Sequence, residues 1–214
     1  MYGLEELFAT ARWYFQNRGD IGDVKFLGSG DDTVFGTDGN DLMFGNAGQD
    51  DFWGGAGNDT IYGGDHQDIA LGGDGNDRIV AGDGDDIFAG ENGNDVLYGD
   101  AGNDQIWGGE DRDTILGGSG DDRIEGDGGN DTLLGGNGSD RFIVDLLDGD
   151  DVIADFNAGA DDLVFRGVYA DVADALSHAS QSGSSVVFDT GSGDSVRVLN
   201  AALAQFNDTN VAVV

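Results

Sequence analysis

The sequence predicts an all-β fold: a solenoid of short strands, preceded by a helix and closed by a C-terminal cap. Three observations lead there. Residues 27–143 divide into thirteen consecutive nine-residue units with no insertion, and every unit has Asp at its sixth position and an apolar residue at its eighth. Gly accounts for 40 of the 214 residues and Pro for none, far from ordinary globular usage. The formal charge is -34, from 43 acidic and 9 basic residues, so a compact chain has to neutralise its own repulsion.

Residues 1–26 come first. Leu4, Leu7, Phe8, Ala11, Tyr14 and Phe15 recur at helical spacing. An amphipathic helix is expected here, covering the open apolar end of the solenoid as terminal elements of stacked arrays must. The other reading is an interfacial membrane helix, for which Arg12 and Arg18 supply little positive charge.

Residues 27–143 form the repeat. The clearest units read Gly54-Gly55-Ala56-Gly57-Asn58-Asp59-Thr60-Ile61-Tyr62 and Gly72-Gly73-Asp74-Gly75-Asn76-Asp77-Arg78-Ile79-Val80. Each divides into a glycine-rich turn and a three-residue strand whose middle residue points inward, because side chains alternate along a strand. Two units make one coil. The predicted inward row is Val34, Met43, Phe52, Ile61, Ala70, Ile79, Phe88, Leu97, Ile106, Ile115, Ile124, Leu133 and Phe142. An apolar residue at every one of these positions argues against a disordered low-complexity tract.

Residues 144–214 break the period. Gly149-Asp150-Asp151-Val152-Ile153 resembles a last half-unit displaced by two residues. Asp171 to Ala179 has helical spacing through Val172, Ala175, Leu176 and Ala179. Ser185 to Phe188 and Ser195 to Leu199 read as strands joined through Thr190-Gly191-Ser192-Gly193.

The repeat carries a chemistry. Glycine at positions one, two and four lets the backbone take positive φ and aim carbonyls at one centre, and Asp at position six adds a carboxylate. Calcium takes about six to eight such hard oxygens at flexible geometry. Successive turns fall on opposite edges of a two-unit coil, so the candidate ligands form two ladders. One holds Asp32, Asp50, Asp68, Asp86, Asp104, Asp122 and Asp140; the other holds Asp41, Asp59, Asp77, Asp95, Asp113 and Asp131. Asp151, in the displaced half-unit, joins the set.

Some units depart from the pattern. His66 and Asp111 replace the fourth glycine, Leu27 and Ala81 the first, and Thr37, Asn46, Glu91, Asp100 and Asp127 the second. The sites beside His66 and Asp111 are the weakest by this criterion. No loop has EF-hand spacing.

Residues 27–143 resemble the repeat region of the RTX (repeats-in-toxin) family of secreted bacterial proteins. The resemblance implies a right-handed parallel β-roll with each calcium between two turns on the same edge, one coil apart, held by the sixth-position carboxylates and turn carbonyls. Seven turns on one edge and six on the other leave eleven such gaps, so about eleven Ca2+ ions are expected. Folding and ion binding are expected to be one coupled event. The stretch Gly149 to Phe156, followed by Gly159 to Phe165 and Ser185 to Leu199, resembles the region after the repeats in type I secreted proteins. That resemblance implies a cap carrying an uncleaved export signal, a type I ABC exporter as partner, and an extracellular location.

Composition excludes several classes. The acidic balance excludes a nucleic-acid footprint, and no apolar run reaches the length of a transmembrane segment. With no Cys there is no disulfide or thiolate metal site. Met1 to Thr10 lacks the charged start and apolar core of a conventional secretory signal. No catalytic motif is present and Lys25 is the sole lysine. The expected function is therefore a secreted calcium-binding protein or module, not an enzyme. The alternative is a carbohydrate- or surface-binding accessory module of a larger exoprotein such as an alginate epimerase, protease, lipase or adhesin. It would set the outward rings Phe35, Phe44, Trp53, Tyr62, Tyr98 and Trp107 against an extracellular glycan or cell surface.

Overall fold

The computed structural model describes residues 21–214 apart from 147 and 192. Strands β1 (Ile21–Phe26), β2 (Thr33–Phe35), β3 (Asn40–Ala47), β4 (Asp51–Ala56), β5 (Thr60–Asp65), β6 (Ile69–Asp74) and β7 (Arg78–Asp83) open the stack. It continues with β8 (Ile87–Asn92), β9 (Val96–Ala101), β10 (Gln105–Glu110), β11 (Thr114–Ser119), β12 (Arg123–Gly128), β13 (Thr132–Asn137) and β14 (Arg141–Val144). Then follow β15 (Asp150–Ile153), β16 (Asp162–Phe165), helix α1 (Val172–Ser177), β17 (Ala179–Ser182), β18 (Ser185–Gly191), β19 (Asp194–Val198), a 3-10 turn (Leu203–Gln205) and β20 (Val211–Val213).

From β1 to β16, odd strands lie in one sheet and even strands in the other. The first runs β1-β3-β5-β7-β9-β11-β13-β15-β19-β18-β17, the second β2-β4-β6-β8-β10-β12-β14-β16-β20. Within the repeats, neighbours in a sheet are parallel and 18 residues apart, as in Ile61↔Ile79 and Phe52↔Ala70. The solenoid is thus the parallel β-roll that two nine-residue units per coil imply.

The inward row is the core. All thirteen predicted residues are buried, none more than 5% exposed. The strands are longer than the three residues expected, because pairing continues through the next unit's second and third positions: Gly64↔Gly82 and Asp65↔Asp83 follow Tyr62↔Val80. Glycine permits this close stacking. A Cβ on Gly73, whose φ is +113, would lie 2.0 Å from the carbonyl oxygen of Gly55 in the preceding coil.

Two boundaries move. Residues 21–26 are a strand and not the end of a helix: Val24 and Phe26 pair with Leu42 and Phe44, as an additional half-coil. The expected helix over Leu4 to Phe15 lies outside the described residues. The roll also runs past Ile143. β15 and β19 extend one sheet and β16 and β20 the other, all in parallel pairing, before β18 and β17 turn antiparallel. The cap has an ordinary hydrophobic centre. Rings run from Phe142, the last inward residue, through Phe156, Phe206 and Phe188 to Phe165 and Tyr169, with centroids 4.9–6.0 Å apart.

Candidate metal centre

Each repeat turn is built to leave one carboxylate oxygen over. The amide of Asp59 donates to Asp77 Oδ1 at 2.7 Å, that of Asp77 to Asp95 at 2.6 Å, and that of Asp95 to Asp113 at 2.8 Å. The other edge does the same from Asp50 through Asp68, Asp86, Asp104 and Asp122 to Asp140, at 2.8–3.0 Å. Oδ1 is thereby consumed in stacking the coils. The Oδ2 atoms of Asp50, Asp59, Asp68, Asp77, Asp86, Asp95, Asp104, Asp113, Asp122, Asp131 and Asp140 are buried and have no hydrogen-bond partner. Their residues are at most 2% exposed.

Main-chain oxygens meet these orphans. A Cβ added to Gly54 would fall within 3.0 Å of both Asp59 Oδ2 and the carbonyl oxygen of Gly72 in the next coil. Gly45, Gly72, Gly99, Gly108 and Gly117 show the same convergence of an Asp Oδ2 and a next-coil carbonyl. The first-position glycine therefore clears a small oxygen-lined space, while Ala81 holds the same position beside Asp86, whose Oδ2 is equally orphaned.

The electrostatics favour neutralisation of these carboxylates, by a cation or a proton. Burial, with like charges one coil away, pushes the carboxyls of Asp59, Asp68, Asp77, Asp95, Asp104 and Asp113 up to about 7 and that of Asp131 to about 8. A buried carboxylate without a partner costs several kcal/mol. Hard, buried, orphaned oxygens on a flexible turn match the donor set calcium takes, so the residues fit the ion the sequence implies. Bound there, the ion would supply positive charge between stacked carboxylates and satisfy their free lone pairs.

Sequence expectation and structure differ in detail. Asp151 does take up the ladder, accepting the Asp131 amide at 3.0 Å across 20 residues, the two-residue displacement read from the sequence. Asp161 was missed. It accepts the Asp140 amide at 3.1 Å across 21 residues, and the only sequence sign was Gly159 two residues before Asp161 and buried Leu163 two after. Asp155 was missed too; its two oxygens accept the amides of Gly135 and Gly136, each at 3.0 Å, closing the last turn of that edge. Asp32 is only half-buried. His66 and Asp111 are exposed at φ +80 and +77, and the adjacent Asp68 and Asp113 are as buried and orphaned as the rest.

A second acidic group lies where roll meets cap. Ligand atoms of Glu125, Asp127 and Asp145 fall within 4.8 Å of one another. Arginines already occupy it: Arg123 pairs with Glu125, and Arg166 pairs with both Glu125 and Asp145. The outward rings are also engaged. Phe26, Phe44 and Tyr62 stack face to face at 4.8 and 4.9 Å, and Phe35 stacks on Trp53 at 4.8 Å. Arg78 lies 4.4 Å over Tyr98 and Arg123 5.4 Å over Trp107.

Overlapping segments of the chain, 26–61, 50–79, 62–97, 71–106, 80–115 and 107–142, match the family model of the RTX calcium-binding nonapeptide repeat (4 copies). The chain belongs to this RTX family. RTX nonapeptide repeats bind calcium, and the roll is a calcium-binding fold, not a catalytic one. Among solved structures this RTX chain is similar to the extracellular lipase LipA from Serratia marcescens, at 20% identity and TM-score 0.38, over 90% of this chain and 40% of the lipase. It is similar also to the AlgE6R3 subunit of the Azotobacter vinelandii mannuronan C5-epimerase, at 20% identity and TM-score 0.31, over 86% of this chain and 78% of that one. The RTX chain thus spans less than half the lipase's length. A comparison with curated proteins gives no match. Among the described residues no helix is long and apolar enough to cross a membrane.

Proposed function

We propose that this chain is a secreted RTX module that folds when calcium enters between its stacked turns outside the cell. The observation that carries the reading is the set of eleven buried, partnerless Oδ2 atoms among the described residues, six on one edge and five on the other. They equal in number the gaps expected from the repeat count, so about eleven ions are needed. Eleven divalent ions carry 22 positive charges and take the formal charge from -34 to -12. Without them every coil brings its carboxylates against those of the next. In the low calcium of a cytosol the chain stays unfolded and suits a type I ABC exporter; in the calcium-rich exterior it folds, beginning near the cap.

Circular dichroism with and without chelator tests the coupling. A strand spectrum is expected in calcium and its loss after chelation; a strand spectrum that persists at neutral pH in exhaustive chelator would refute it. The export role of residues 144–214 is tested by fusing them to a passenger in a host with a type I exporter. Secretion of the passenger is expected, and its retention would remove that role. The glycan-binding alternative would have to use the outer edges of the rings, since Phe44 stacks on Tyr62 and Phe35 on Trp53.

A further inference from the structure

We propose that hydrogen bonds made by the protein itself close one ladder of ion sites at each end of the roll, the Asp41–Asp131 ladder at Asp41 and the Asp32–Asp140 ladder at Asp161, and that neither aspartate ligates calcium. This rests on the calcium reading of the interior turns.

The eleven interior aspartates share one pattern, with Oδ1 bound to the amide one coil back and Oδ2 free of any partner. Asp41 and Asp161 break it. Asp41 Oδ1 accepts the amide of Asp23, while its Oδ2 accepts both the amide of Thr37, at 2.5 Å, and the Thr37 hydroxyl, at 3.2 Å. Asp161 Oδ1 accepts the amide of Asp140, while its Oδ2 accepts the amide of Asn157 at 2.7 Å. Asn157 Oδ1 in turn accepts from Gly159 N–H at 3.1 Å, which fixes the turn.

The donor occupies the same place in both turns. Thr37 is the second residue of its nonapeptide. If Phe156 to Val164 is counted as a cryptic nonapeptide, with Gly159 fourth, Asp161 sixth and Leu163 eighth, Asn157 is second as well. Interior second-position residues are held in strands, as Gly55 is opposite Gly73 and Gly64 opposite Gly82. Thr37 and Asn157 lie outside any strand, beyond the ends of β2 and β15, so their amides are free to turn onto the carboxylate. An oxygen whose lone pairs already meet N–H or O–H protons presents those protons to an approaching cation. Both aspartates are buried, 2% and 4% exposed, and both have their two oxygens satisfied by the chain. Thr37 and Asn157 are thus positioning residues, each setting where one ladder of ion sites stops at its end of the roll.

Anomalous difference maps from crystals of the full chain grown in calcium test this without any substitution. Calcium is expected at coordination distance, about 2.3–2.6 Å, from interior atoms such as Asp77 Oδ2, and none at that distance from either oxygen of Asp41 or Asp161. Native mass spectrometry of the folded population provides the second readout. Asp77→Asn is expected to lose at least one calcium, whereas Asp41→Asn and Asp161→Asn keep the wild-type count. Calcium on either terminal aspartate, or an ion lost from either terminal variant, overturns the proposal. A map with no calcium at Asp77, with an undiminished count in Asp77→Asn, sinks instead the calcium reading beneath it.

Discussion

The guanidinium of Arg166, in the cap, lies 2.6 Å from Oε2 of Glu125, a buried acid on the outer side of the roll. Glu125 stands at a ninth position where the other coils carry Trp107, Leu71 or Ile143. With Asp145 accepting from its Nε and from the same Nη2, Arg166 joins roll, linker and cap by charge. Arg166→Gln leaves Glu125 with Arg123 alone and is expected to cost about 2 kcal/mol. That is below the roughly 3–5 kcal/mol of a fully buried pair, because the Arg166 side chain is 38% exposed and water screens it. In saturating calcium the thermal midpoint should fall by about 4–8 °C, and Glu125→Gln in the same background should recover part of the loss. An unchanged midpoint would show that the cluster is solvated.

Acidity should act in opposite directions with and without calcium. Folded carboxyls near 7, such as those of Asp77 and Asp104, stand against an unfolded value of 3.8. The metal-free coil therefore holds protons that the unfolded chain has released, so this contribution is complete below about pH 4 and is lost as pH rises through 7. More strand signal is expected in chelator at pH 4.5 than at pH 8. In calcium, protons compete with the ion, and the half-saturating concentration should rise as pH falls from 8 to 6. Equal spectra at the two pH values in chelator would contradict the burial of these groups.

The core should reject added volume at one coil. Ala70 is paired with Phe52 on one side and Phe88 on the other, and all three are buried. Ala70→Leu is expected to overpack the site, at about 1–3 kcal/mol, read as a lower thermal midpoint in calcium. A stabilised variant would reveal a void between the two rings.

Backbone strain gives a fourth test. Glu91 sits at φ +77 where most second positions have glycine, a conformation that costs a side chain roughly 1–2 kcal/mol. Glu91→Gly should stabilise the calcium-loaded roll by about 1 kcal/mol, whereas Glu91→Gln, which removes the charge and keeps the strain, should not. Conversely, Gly73→Ala should lower the midpoint, because at φ +113 the new Cβ meets the Gly55 carbonyl and the turn must shift toward the φ that Glu91 holds. Matching midpoints for the Gly and Gln variants would place the cost in charge alone.

The roll and its ladders of buried aspartates were legible because each repeat position has one job that few residue types do well: Ile79 fills the core, Asp77 stacks on the next coil and keeps one buried oxygen over, Gly73 clears the path. The C-terminal end was harder to read. Phe156 to Val164 keeps only Gly159, Asp161 and Leu163 of the pattern, since its turn closes on its own amide and needs no further glycines. Glu125 was invisible because its partner, Arg166, lies 41 residues away. Strand length was underestimated at Gly64, which stays in the ladder opposite Gly82 at φ +125 because the neighbouring coils pair with it.

Sheet membership alternates with every nine residues, so the two faces of the cap are keyed to the two sheets: β15 must follow β13 and β16 must follow β14. Removing a single nonapeptide would deliver each cap strand to the wrong sheet and exchange the two ladders beneath it. The molecule can accordingly be lengthened or shortened only in steps of eighteen residues, each step adding or removing about 4.8 Å of height. A ruler graduated in pairs of repeats follows from the coil itself.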